Sequence, residues 1–161
     1  MARKKTRFLV HASFIGAIYV VLTYLASMLG MSSGVIQIRF SEALTILPIF
    51  TPAAIPGLFI GCLISNLLSG CIVWDVLFGS LATLIGAVFT YLLRKKRYLA
   101  IVPPIISNTL IVPFVLKFAY GIPGSVWYFI LTVGIGEIIS CGVLGTLLIN
   151  ILKKFQKQIN W

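Results

Sequence analysis

Six apolar runs, parted by short breaks, fill nearly the whole chain, and the longest exceed twenty residues. A run of that length crosses the roughly 30 Å hydrocarbon layer of a bilayer as a helix, because lipid offers no partner to an open strand edge. The runs cover residues 8–31, 36–50, 52–69, 73–93, 99–119 and 126–152 of a single 161-residue domain. The breaks are Gly30-Met31-Ser32-Ser33-Gly34, Pro52 with Pro56, Ser69-Gly70, the basic stretch Arg94–Arg97, and Tyr120-Gly121-Ile122-Pro123-Gly124. The sequence thus predicts an all-α, polytopic membrane protein with a six-transmembrane-helix bundle. Run 36–50 is short for a full crossing, so a tilted, kinked or partly re-entrant segment is expected there. The first run is too long for a signal-peptide core and lacks a small-residue cleavage site, so it is read as retained.

Charge sets the orientation. Only 10% of residues are charged, against the roughly 25% usual in soluble domains. Eleven of the thirteen Lys and Arg residues fall in three clusters: Arg3, Lys4, Lys5 and Arg7; Arg94, Lys95, Lys96 and Arg97; Lys153, Lys154 and Lys157. Each cluster flanks an apolar run, as cytoplasmic loops do under the positive-inside rule. Four runs between the first two clusters and two between the last two place both termini in the cytoplasm. The net charge of +10 therefore points to anionic membrane lipid rather than nucleic acid.

Against this background the only three carboxylates, Glu42, Asp75 and Glu137, stand in strongly apolar surroundings. A carboxylate near the bilayer centre costs roughly 2.5–3.5 kcal/mol on insertion scales, so each should face a wet cavity, a partner charge or a ligand. Arg39, Glu42, Asn66 and Asp75 fall near the outer loops. Asn108 and Glu137 lie deeper, about 18 Å from the loop at 120–125 at 1.5 Å per residue. An outward-opening pocket with Asn108 and Glu137 at its floor follows.

A carboxylate accepts two adjacent N–H donors well, and an amide beside it suits a lactam, so Glu137 and Asn108 together fit a guanine-like edge. Gly134 and Gly136 leave room for a flat ring. Each residue also has a structural reading, in which Glu137 is held by Asn108 or a lysine, Glu42 by an i,i+3 ion pair with Arg39, Asp75 by the helix dipole or as a helix cap, and Asn66 by a neighbouring helix. Trp127, among the aromatics of the outer boundary, serves as interfacial belt or stacks on a bound ring. Ala12, Ser13, Gly16 and Ala17 give the first helix a small-residue face, suited to internal packing or to docking another membrane subunit. His11 is isolated and Cys62, Cys71 and Cys141 are scattered, which argues against a metal site or a disulfide framework. No catalytic constellation, cofactor motif or phosphate loop is present.

The run Ile38-Arg39-Phe40-Ser41-Glu42-Ala43-Leu44-Thr45-Ile46-Leu47-Pro48 resembles the signature of QueT-type proteins. These are queuosine-precursor substrate-binding subunits (S components) of energy-coupling-factor (ECF) transporters, a class of ABC importer. The stretches from Gly57 to Leu68 and from Asp75 to Leu84 continue the similarity. The resemblance implies six helices, a bacterial cell-membrane location, an extracytoplasmic pocket for a 7-deazaguanine, and partnership with a transmembrane coupling (T) subunit and two ATPase subunits. S components commonly dock through Ala-x-x-x-Ala on the first helix; here the nearest frame is Ser13-x-x-x-Ala17. The alternative is a self-sufficient secondary transporter of a purine-like or vitamin-like solute driven by protons or sodium, although no inverted repeat is evident. A membrane enzyme fits least.

Overall fold

The computed structural model describes residues 2–31 and 37–155. Among these the chain forms helices joined by short turns, with no strand. Helix α1 is Ala2–Met28, α2 Ala54–Leu68, α3 Val73–Leu92, α4 Val102–Phe114, α5 Val126–Glu137 and α6 Gly145–Phe155. A π-type turn, Val115–Ala119, extends α4, and a second, Ile138–Leu144, joins α5 to α6 as one rod. Four segments are long and apolar enough to cross a membrane: Arg3–Met28, Val73–Leu92, Leu99–Ala119 and Val126–Lys154.

The region of run 36–50 differs most from a membrane-crossing α-helix. It is a 3-10 helix, Phe40–Ile49, whose residues from Ser41 to Ile49 are all buried. At about 2.0 Å per residue it is about 20 Å long. Pro48 cannot donate to an i−4 carbonyl, and the narrower 3-10 coil fits the centre of a ring of helices. The Glu42 carbonyl, spared the usual α-helical donor, accepts from Thr45 Oγ1 at 2.6 Å and from Cys141 Sγ at 3.4 Å.

Contacts order the segments end to end. The Arg97 guanidinium lies over the Phe50 ring, and Lys153 Nζ donates to Tyr98 Oη. Those residues, with the start of α1, mark a basic end. At the opposite end the Ile72 amide donates to Tyr120 Oη. The six segments therefore alternate between the two ends, and the first and last described residues lie at the basic one.

Small residues allow the closest approaches. A Cβ on Gly57 would stand 2.6 Å from the Ala12 carbonyl oxygen, and one on Gly61 2.9 Å from that of Gly16. Ala12 and Gly16 thus pack inward against α2, while Ser13 and Ala17 remain exposed on the other side of α1. Gly57→Ala should destabilise the detergent-solubilised protein by about 1–3 kcal/mol through overpacking. Gly142→Ala, whose Cβ would meet Ile138 at an ordinary 3.7 Å, should shift the thermal midpoint much less. Thermal unfolding of the two variants side by side checks this.

Candidate functional site

Three elements meet at one amide. Asn108, near the middle of the span Leu99–Ala119, donates through Nδ2 to Glu137 Oε1 at 3.0 Å and to Glu42 Oε2 at 3.4 Å. Glu42 Oε1 accepts from Tyr19 Oη of α1 at 2.5 Å, and Glu137 Oε2 from Cys141 Sγ at 3.3 Å. All four carboxylate oxygens therefore have a donor within reach, the single Cys141 proton being shared between Glu137 Oε2 and the Glu42 carbonyl. Glu42, Asn108 and Glu137 are 2%, 4% and 9% exposed, and Tyr19 and Cys141 are also buried. A mixed set of ligand atoms from Glu42, Glu137 and Cys141 lies within 4.8 Å, close enough in principle for a metal. The Asn108 and Tyr19 donors already point into those oxygens, which suits a network of shared protons better than a cation.

Glu42 belongs to this floor, deeper than its sequence position suggested. Residues 37–39 have no helical hydrogen bonding, and the Arg39 backbone is extended with φ −111° and ψ 109°. The Arg39 amide donates to Ser140 Oγ at 3.2 Å. A Cβ on Gly136 would lie 2.2 Å from the Gln37 carbonyl oxygen, so the missing side chain admits the Gln37 backbone. The space expected for a ligand ring beside Gly136 is thus filled by the chain itself. Likewise, Glu42 pairs with Tyr19 and Asn108, and no Arg39–Glu42 ion pair forms.

A cavity of about 390 Å³ opens above this floor, lined by Thr23, Ser27, Gln37, Arg39, Asn66, Asp75 and Tyr120 among others. That volume lies in the range of small-molecule sites. Below it a narrow cleft of about 30 Å³, room for about one water, is lined by Gln37, Arg39, Asn108, Val112, Val133 and Glu137. Gln37 and Arg39 border both. Asp75 does not cap α3; it accepts from Tyr120 Oη at 2.9 Å. Asn66 Nδ2 points toward Cys62 Sγ at 3.7 Å. Trp127 is 75% exposed and lines neither space. Two larger grooves between α3 and α4, about 560 and 510 Å³, are almost wholly apolar. They contain little to orient a polar solute.

Sequence reasoning found the Asn108–Glu137 level but missed Tyr19 and Cys141. Both were signalled: Tyr19 continues the Ala12–Gly16 face of α1 by one turn, and Cys141 follows Glu137 by one turn.

These features define an all-helical, multi-pass membrane protein with a buried polar cluster beneath an internal cavity. The sequence matches the QueT transporter family over residues 9–154, and the chain belongs to that family. It is 40% identical over 85 residues to the queuosine precursor transporter QueT of Lactococcus lactis subsp. cremoris strain MG1363. That match spans 53% of this chain and 50% of the relative, so the chain covers about half the length of the curated relative it matches. No solved structure matches.

At the cavity mouth, burial and then the charge of Asp75 raise the Cys71 thiol above its ordinary value. Burial, then Asp75, raise the Tyr120 phenol likewise. The thiolate is the reactive form, so maleimide labelling of Cys71 should be slow at neutral pH and still rising beyond about pH 8.5. Cys62 and Cys141, both buried, should label only on unfolding. Peptide mass spectrometry across a pH series checks this; a Cys71 rate that levels off below pH 8 would contradict it.

Proposed function

We propose that this protein is the substrate-binding S component of an ECF-type importer in the bacterial cell membrane, and that it captures a queuosine precursor of the 7-deazaguanine class. The observation carrying this reading is the Glu137–Asn108–Glu42 floor beneath a polar cavity of about 390 Å³. Membership of a transporter family and the likeness to the queuosine precursor transporter of Lactococcus support it. Six crossings with both termini in the cytoplasm turn the cavity outward, with the shorter segments 40–49 and 54–68 shielded by the four long ones. Because the chain carries no phosphate loop, ATP hydrolysis falls to two partner ATPases acting through a transmembrane coupling subunit.

The ligand enters the wide cavity past Asp75, Asn66 and Tyr120. The Gln37 side chain moves aside, and the guanine-like edge reaches Glu137, whose carboxylate takes the ring N–H and the amino group. A charge-assisted hydrogen bond of this kind is worth roughly 1.5–3 kcal/mol. Glu137→Gln turns one acceptor into a donor facing N–H groups. Calorimetry with a 7-deazaguanine should show binding weakened by roughly tenfold to a thousandfold at about 1.4 kcal/mol per decade, with the fold retained. Equal affinity would make Glu137 a packing residue.

Ser13 and Ala17 supply the docking face for the coupling subunit on this reading, while Ala12 and Gly16 secure α1 to α2. Ala17→Leu should abolish uptake by the assembled importer and leave ligand binding nearly unchanged, as measured by paired transport and calorimetry. A second reading draws on the Glu42–Glu137 pair, which could carry a proton through a self-sufficient secondary transporter. Liposomes containing this chain alone separate the two: binding without accumulation supports the S component, and proton- or sodium-driven accumulation supports the carrier.

A further inference from the structure

Around the floor of the site the hydrogen-bond donors are already committed. Asn108 Nδ2 gives to both Glu42 and Glu137, Tyr19 Oη to Glu42, and Cys141 Sγ shares its one proton between Glu137 and the Glu42 carbonyl. The carboxylates themselves only accept. A guanine-like edge, however, presents a carbonyl oxygen beside its N–H groups, and that oxygen needs a donor.

The Arg39 guanidinium meets this need. Among the described residues it makes no hydrogen bond or ion pair, although its backbone is held by Ser140 Oγ at 3.2 Å. It borders the cavity of about 390 Å³ and also the cleft that reaches Asn108 and Glu137. It therefore stands where one edge of a ring seated against Glu137 would come. Gln37 lines the same two spaces, but its amide is neutral, and a charged donor makes a bond roughly twice as strong.

Resting on the deazaguanine reading above, we propose that Arg39 donates to the ring carbonyl of the bound base and so selects oxo-purine-like ligands. Glu137 then reads the donors and Arg39 the acceptor, and the two opposite charges face a donor–donor–acceptor edge in matching order. Such an arrangement rejects a ring whose carbonyl is replaced by a weaker acceptor, because a charged donor in the cavity then goes unpaired.

The test compares 7-deazaguanine with its 6-thio analogue, which keeps both N–H groups and replaces only the carbonyl oxygen by sulfur. Wild type should bind the oxo form tighter by about tenfold to a hundredfold. In Arg39→Gln the preference should fall below about threefold. Arg39→Lys keeps the charge without the guanidinium fork; it should bind both ligands with a reduced preference, and it serves as the probe if the Gln variant does not fold. Gln37→Leu should leave the preference intact. If Arg39→Gln or Arg39→Lys weakens both ligands equally, Arg39 only balances the carboxylates and the proposal is overturned. An unchanged preference in both variants, or no preference in wild type, overturns it as well. If wild type binds neither ligand, the deazaguanine reading itself falls.

Discussion

One amide holds the interior together. Asn108 on α4 reaches Glu42 on the central 3-10 helix and Glu137 at the end of α5, and Tyr19 joins α1 to the same network. Two carboxylates with atoms inside a 4.8 Å cluster repel by about 3 kcal/mol when both are charged, at an effective dielectric of about 20. Donors on all four oxygens offset that repulsion and fix where each carboxylate points. Removing the shared amide would leave both acids short of a donor in an apolar interior, where an unsatisfied polar group costs about 1–3 kcal/mol and a charged one more.

The packing around this network is arranged to let backbone come close. Gly136 admits the Gln37 carbonyl, Gly57 and Gly61 admit α1, and a Cβ on Gly86 would meet Pro104 Cα at 2.8 Å. The 3-10 helix is thin enough to be enclosed on all sides, and its polar start is therefore presented to the site rather than to lipid. The π-type segment directly after Glu137 is of the kind that recurs at functional sites. It places Cys141 one turn beyond Glu137, within reach of the same carboxylate.

Much of this was legible in the sequence. Lipid leaves helix as the only backbone for long apolar runs, so the helical class and the breaks at Gly30, Ser69-Gly70 and Gly121 could be read directly. Asn108 and Glu137 come out level because both are counted along helices from one loop. Glu42 was set too shallow for a physical reason. Counting at 1.5 Å per residue fails where residues 37–39 lack helical hydrogen bonding and Arg39 runs extended, at about 3.3 Å for such a residue, and the 3-10 helix that follows rises about 2.0 Å per residue. The chain descends faster than an α-helix there. The partners Tyr19 and Cys141 were hidden because an aromatic or thiol on an apolar face reads as packing until a carboxylate is found opposite. Trp127 could be assigned to either the belt or the cavity from its sequence position; its exposure separates it from the cavity.

The burial of every acidic side chain has a consequence for the outside of the molecule. Glu42, Asp75 and Glu137 are the chain's complete set of side-chain carboxylates, and each is at least nine-tenths enclosed. Among the described residues the charged side chains of the surface are thus of one sign. The lysines and arginines of the surface therefore meet no side-chain carboxylate exposed there, and their counter-charge is drawn mainly from the surroundings: ions, anionic headgroups or the acidic face of another protein. Two copies approaching basic end to basic end repel, whereas an anionic leaflet draws the same ends toward it. The chemistry that builds the interior leaves the exterior a polycation.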